Sequence, residues 1–112
     1  DGHACQGHGE IGGVACEVPL DVTLTFELRK QQPIHWPRIT SDDYRMCVGS
    51  ARPLEDATRI ACAELLDWIV ADTGMPLPDA LVWLTQTLEL RVANVCDPNY
   101  SVAAAVRHEF LP

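Results

Sequence analysis

The sequence lacks the features that would settle a function at sight. Its five cysteines, Cys5, Cys16, Cys47, Cys62 and Cys96, contain no C-x-x-C pair, and their odd number and wide spacing suit neither a cysteine-rich zinc site nor a disulfide framework. None has a histidine or basic residue beside it in sequence, so no activated thiol is indicated. Cys62 and Cys96 follow apolar patterns and read as small buried thiols. The expected compartment is therefore reducing, hence cytoplasmic. No apolar run approaches the ~20 residues that span a bilayer. No basic stretch followed by an apolar one reads as a signal peptide, although a removed one leaves no trace. Basic residues are scarce: eight Lys and Arg stand against sixteen Asp and Glu, giving a net charge of −8. Such a surface repels phosphate backbones and anionic lipid, which excludes nucleic acid and membrane as main partners. No internal repeat stands out.

What is present is one globular domain's worth of chain. The 112 residues are 47% hydrophobic and 21% charged, enough for a modest core and too little for two domains. The chain opens "DGHACQGHGE" without an initiating methionine, so its most chemically loaded stretch comes first. That start is expected either of a frayed terminus or of the downstream piece of a longer enzyme. Five of the seven glycines fall in residues 1–13, a stretch able to bend tightly but not to build a core.

Next, "DVTLTFELRK" alternates Val22, Leu24, Phe26 and Leu28 with Thr23, Thr25, Glu27 and Arg29, the pattern of a strand with one buried face. "VACEV" before it predicts a strand as well. Pro33 and Pro37 break the following segment into a loop with short strands around Ile34 and from Tyr44 to Val48. A helix is predicted over 53–74, with Pro53 in its first turn, acids Glu55 and Asp56 beside it, and Gly74 as its left-handed end. A second helix is expected over 78–89, then a strand at Leu90 and Val92 and a turn at Asp97-Pro98-Asn99. The tail over 100–112 reads as strand or short helix. Strands in the first half, a helix pair and a closing strand make an α+β unit: a site loop over 1–13, strands over 14–50, helices, and a strand and turn tail over 90–112. One strand pair offers the helices little to bury against, so more protein, another chain or a second copy, is expected beside them.

In the first stretch, Asp1, His3, His8 and Glu10 are potential metal ligands, with Gln6 as a hydrogen-bonding neighbour. An i, i+2 pair projects to one face of extended chain, so Asp1 with His3, and His8 with Glu10, form two such pairs joined by flexible glycines. A hydrolytic metal centre needs this kit: imidazole and carboxylate ligands plus a carboxylate able to take a proton from water. A solvated loop end has the same composition. His35 and Trp36 fit loop packing, His108 the surface, and Trp68 and Trp83 a core or interface. Asp97 and Asn99 suit local turn capping.

The opening "DGHACQGHGEIGGVACEVPLDVTLTFELRK" resembles the signature of the acetamidase/formamidase family, D-G-H-A-x-Q-G-D-G-E-x-x-G-x-A-x-E running into an alternating strand. "LEDATRIACAELLDWIV" and "PDALVWLTQTLELRVANVCDPNYSV" resemble that family's long helix and its second helix, strand and turn. The resemblance implies hydrolysis of a short linear amide to a carboxylate and ammonia, on a mostly β fold of which this is the C-terminal part. The upstream half, carrying further ligands, would then be a separate chain, and the enzyme an oligomer. It further implies Asp1 and His3 as metal ligands or site-orienting groups, Gln6 as a substrate or supporting contact, and Glu10 as general base. Glu17 matches a family acid of less defined role. His8 stands where the family has Asp, which would alter ion preference or mark an inactive branch. The implied cofactor is a divalent ion, zinc ahead of calcium given the histidines. Alternatives left open are a non-catalytic binding or assembly module on this scaffold, and hydrolysis of another C–N bond such as a cyclic amide.

Overall fold

A computed structural model describes residues 2–111. The chain runs β1 (Gly2–Ala4), β2 (Cys16–Val18), β3 (Arg38–Thr40), β4 (Tyr44–Ala51), α1 (Leu54–Thr73), α2 (Leu77–Thr87), β5 (Glu89–Asn94) and β6 (Tyr100–Arg107), ending in a 3-10 turn, His108–Phe110. The class is α+β. β1 and β2 form an antiparallel two-stranded ribbon, while the other strands make an antiparallel sheet in the order β3-β4-β6-β5.

The helix pair covers this larger sheet, chiefly through α1 against β4 and β6. Ala57, Ala61, Leu65 and Ile69 recur at four-residue spacing on α1 and are fully buried, the last three in one cluster with Cys47 of β4 and Ala104 and Val106 of β6. Burying a Leu or Ile side chain is worth ~1.5–3 kcal/mol, so this stripe dominates the stability of the unit. Gly49 sets the helix-to-sheet spacing. A Cβ there would stand 2.1 Å from the Ala57 carbonyl oxygen and 2.7 Å from the Ala61 amide nitrogen, so only a bare backbone admits the helix so close. Glu55 and Asp56 sit in the first turn of α1, and Gly74, at φ 69°, ends it with its amide on the Val70 carbonyl, as the sequence predicts. α2 adds Ala80 and Leu84 to the core. One acid lies inside this region: Glu64, 3% exposed, accepts from Arg38 Nε at 2.7 Å, and Arg38 and Arg45 both stack on Trp68.

One expectation needs correction. The region over 14–50 is not a run of strands: residues 19–37 form none, neither over 21–30 nor at Ile34. Alternation alone favours a strand, but a strand needs a partner for its backbone groups, and among the described residues no strand pairs with residues 19–36. β4 and β6, eight residues each, give α1 a sheet to pack on, while Leu77, Leu81 and Val82 of α2 stay 53–60% exposed. The tail resolves into both alternatives, a long strand and then a short 3-10 turn. Among the described residues no helix is long and apolar enough to cross a membrane.

Candidate active site

The ribbon and the glycine-rich loop between its strands build the site. Register places His3 directly across from Glu17, and their side chains meet: His3 Nε2 lies 3.0 Å from Glu17 Oε1. The other ring nitrogen, Nδ1, donates to Gln6 Oε1 at 2.9 Å and stands 3.7 Å from Glu10 Oε1. With acceptors on both sides the ring favours its doubly protonated form. Its pKa is raised above the ordinary 6.5, first by the Gln6 bond and then by the Glu17 charge.

The loop does not hang free. The Gly9 amide donates to the Val92 carbonyl at 2.8 Å, and the Gly9 carbonyl accepts from the Val95 amide at 2.9 Å, stitching the loop tip to the end of β5. Gly9 is buried there at φ 89°, a conformation side chains resist. Glu10 itself sits at φ 41°, left-handed and unusual for a residue with a side chain, held by the Gly13 amide on its carbonyl. Such strain costs of order 1–3 kcal/mol and persists where surroundings enforce it, commonly at functional sites.

The stitch carries Glu10 to residues more than eighty positions away. Asn94 Nδ2 donates to Glu10 Oε2 at 3.4 Å and also to Asp97, whose own amide donates back to Asn94 Oδ1 at 3.3 Å. Ligand atoms of Glu10, Cys96 and Asp97 lie within 4.8 Å of one another. Partial burial raises the Cys96 pKa, helped by the charges of Asp97 and Glu10. Glu10 thus joins two polar groups, one oxygen toward His3 and the other toward Asn94.

Of the residues expected at the site, His3, Gln6, Glu10 and Glu17 come together. His8 is exposed on the adjoining turn and makes no hydrogen bond or ion pair among the described residues, and Asp1 lies outside them. The i, i+2 reading fails for His8 because the backbone turns at 8–9 instead of running extended. Asp97 and Cys96 take part where the sequence suggested a turn cap and a buried thiol. Asn94 was not foreseen; its signal is the Asn-x-x-Asp spacing at a strand end, legible only once the loop is known to land there. Asn99 is exposed.

No family model matches the chain, and no curated protein does. Two solved structures do. An acetamidase from Yersinia enterocolitica is 42% identical, with a TM-score of 0.86 over 98% of this chain and 33% of its own. An acetamidase from Bacillus halodurans shares the fold, with a TM-score of 0.87 at 23% identity over 96% of this chain and 37% of its own. The chain therefore spans about a third of the length of the acetamidases it matches. The opening motif, the order of helices and strands and these two structures agree: the chain belongs to the acetamidase/formamidase family.

Proposed function

We propose that the chain is the C-terminal part of a metal-assisted amide hydrolase, cleaving a short linear amide such as formamide or acetamide to carboxylate and ammonia. The observation that carries this reading is Glu10: a strained carboxylate, pinned by Gly9 and reached from both sides by polar groups. Glu10 takes the proton of the attacking water and passes it to the amide nitrogen, which departs only once protonated. Gln6, its oxygen held by His3, has its NH2 group left to donate to the substrate carbonyl oxygen. His3 orients Gln6 and Glu17 and steadies the charge of Glu10.

The donors suit a divalent ion. The Asp97 carboxylate and the Cys96 sulfur beside Glu10 offer one O and one S donor, and a thiolate favours zinc over calcium. Cys96 and Asp97 would hold it, with Asp1, His3 and His8 as the further ligands that the motif implies and Glu10 left free to act as base. When bound, the ion supplies Lewis acidity toward water and the amide carbonyl. His3 must surrender a proton to serve as a ligand, so ion and proton compete there. The remaining two-thirds of the fold supplies the rest of the site, and the working enzyme is an oligomer. Five free thiols suit a cytoplasmic setting.

The test is ammonia release from formamide and acetamide by the enzyme purified untagged from its source, before and after treatment with a chelator. The expected result is turnover that chelation abolishes and zinc restores. An enzyme with full metal content that releases no ammonia from either amide overturns the reading.

A further inference from the structure

The clearest strand pattern in the sequence belongs to no sheet among the described residues. Val22, Leu24, Phe26 and Leu28 are between 60% and 88% exposed, and Thr23, Thr25, Glu27 and Arg29 between them are exposed too. A soluble unit rarely leaves such a row in water, and its unpaired backbone groups are a template for another strand. We propose that residues 20–28 are a donated strand: they pair with a sheet in the remaining two-thirds of the enzyme and lay Leu20, Val22, Leu24, Phe26 and Leu28 on its core. This rests on the reading that the chain works as one part of a larger acetamidase-type enzyme.

Three observations select that occupant. About two-thirds of the length of the matched acetamidases lies outside this chain, so a large body of fold is available to receive the strand. The chain's own edge strands are short against a nine-residue segment, three residues in β3 and six in β5. A second copy would carry the same net charge of −8, which works against self-pairing. Strand addition by main-chain hydrogen bonds, with alternate side chains filling the acceptor's core, is an established way for one segment to lock onto another sheet.

The consequence reaches the site. β2 ends at Val18, just before the donated strand, and Glu17 of β2 faces His3. Docking of 20–28 therefore fixes the ribbon that holds His3 and Gln6 beside Glu10. Phe26 becomes a positioning residue, although it touches none of them.

Amide hydrogen exchange on the assembled enzyme from its source tests this, with the remainder on the same polypeptide or on another. The expected result is that amides within 21–29 exchange at least about a thousandfold more slowly than an unstructured peptide of that sequence. Exchange at the unstructured rate overturns the proposal, as does protection in an assembly that contains only copies of this chain. A Phe26→Asp variant should return amides within 21–29 toward the unstructured exchange rate, and protection unchanged by it also counts against the donated strand. Ammonia release is read separately. A protected strand without it refutes hydrolysis and leaves the strand, whereas release with free exchange refutes the strand alone.

Discussion

Residues 2–36 and 38–111 share one chain and differ in nearly every physical respect. The second region buries a continuous core under two helices, and every fully buried hydrophobic side chain belongs to it. The first has a three-residue ribbon, turns and an exposed extended segment, with Gly9 its one buried residue. Yet the first holds most of the candidate site: His3, Gln6, Glu10 and Glu17. The difference teaches that the candidate site loop borrows its rigidity: the Gly9 amide donates to Val92 of β5, the Gly9 carbonyl accepts from Val95 just past the strand, and Asn94 donates to Glu10, so the loop hangs on the packed region. Rigid scaffolds that position reactive loops are the usual arrangement.

The comparison breaks or sharpens under substitution. Leu65→Ala, in the α1 stripe, should lower the unfolding free energy of the purified chain by about 2–5 kcal/mol. Phe26→Ala, already in water, should change it by less than about 0.5 kcal/mol. Urea melts followed by circular dichroism check both, and equal losses would erase the division into two regions. Next, Arg38→Met strands the buried Glu64 carboxylate and should cost about 3 kcal/mol in the same melts. Adding Glu64→Leu should recover most of that loss.

Thiol labelling draws the boundary residue by residue. Cys5 and Cys16 are exposed and should react in the native state. Cys47, whose thiol burial pushes up to about 12, should react only on unfolding. The smallest effect lies at the surface, where Arg91 and Arg107 hydrogen bonds hold the Glu89 carboxyl below its ordinary 4.5. A depressed carboxylate stabilises the fold above its unfolded pKa, and that contribution fades as pH falls through the folded value. Carboxyl NMR titration should place Glu89 below 4.5, and Arg107→Gln should move it back up.

Much of this arrangement is legible in residue patterns because it rests on local chemistry. Gly74 ends α1, Pro53 precedes it, and the three- and four-residue apolar spacing defines its buried face. Residues 20–28 mislead because period-two alternation reports a strand's faces and not whose sheet receives them. The site divides the same way. His3, Gln6 and Glu10 are close in sequence and readable as a group, and Glu17 joins them through strand register. Asn94, Cys96 and Asp97 join through the Gly9 stitch, a long-range backbone contact that no local spacing announces. His8 stays apart from the group for the same reason: it lies exposed on a turn that local spacing does not announce.

The most direct measurement is steady-state release of ammonia from acetamide by the assembled enzyme carrying Glu10→Gln. The account predicts that kcat falls on the order of a thousandfold while the urea melt stays in place, since the lost group moves a proton and supports no core. Turnover at the wild-type rate would contradict it.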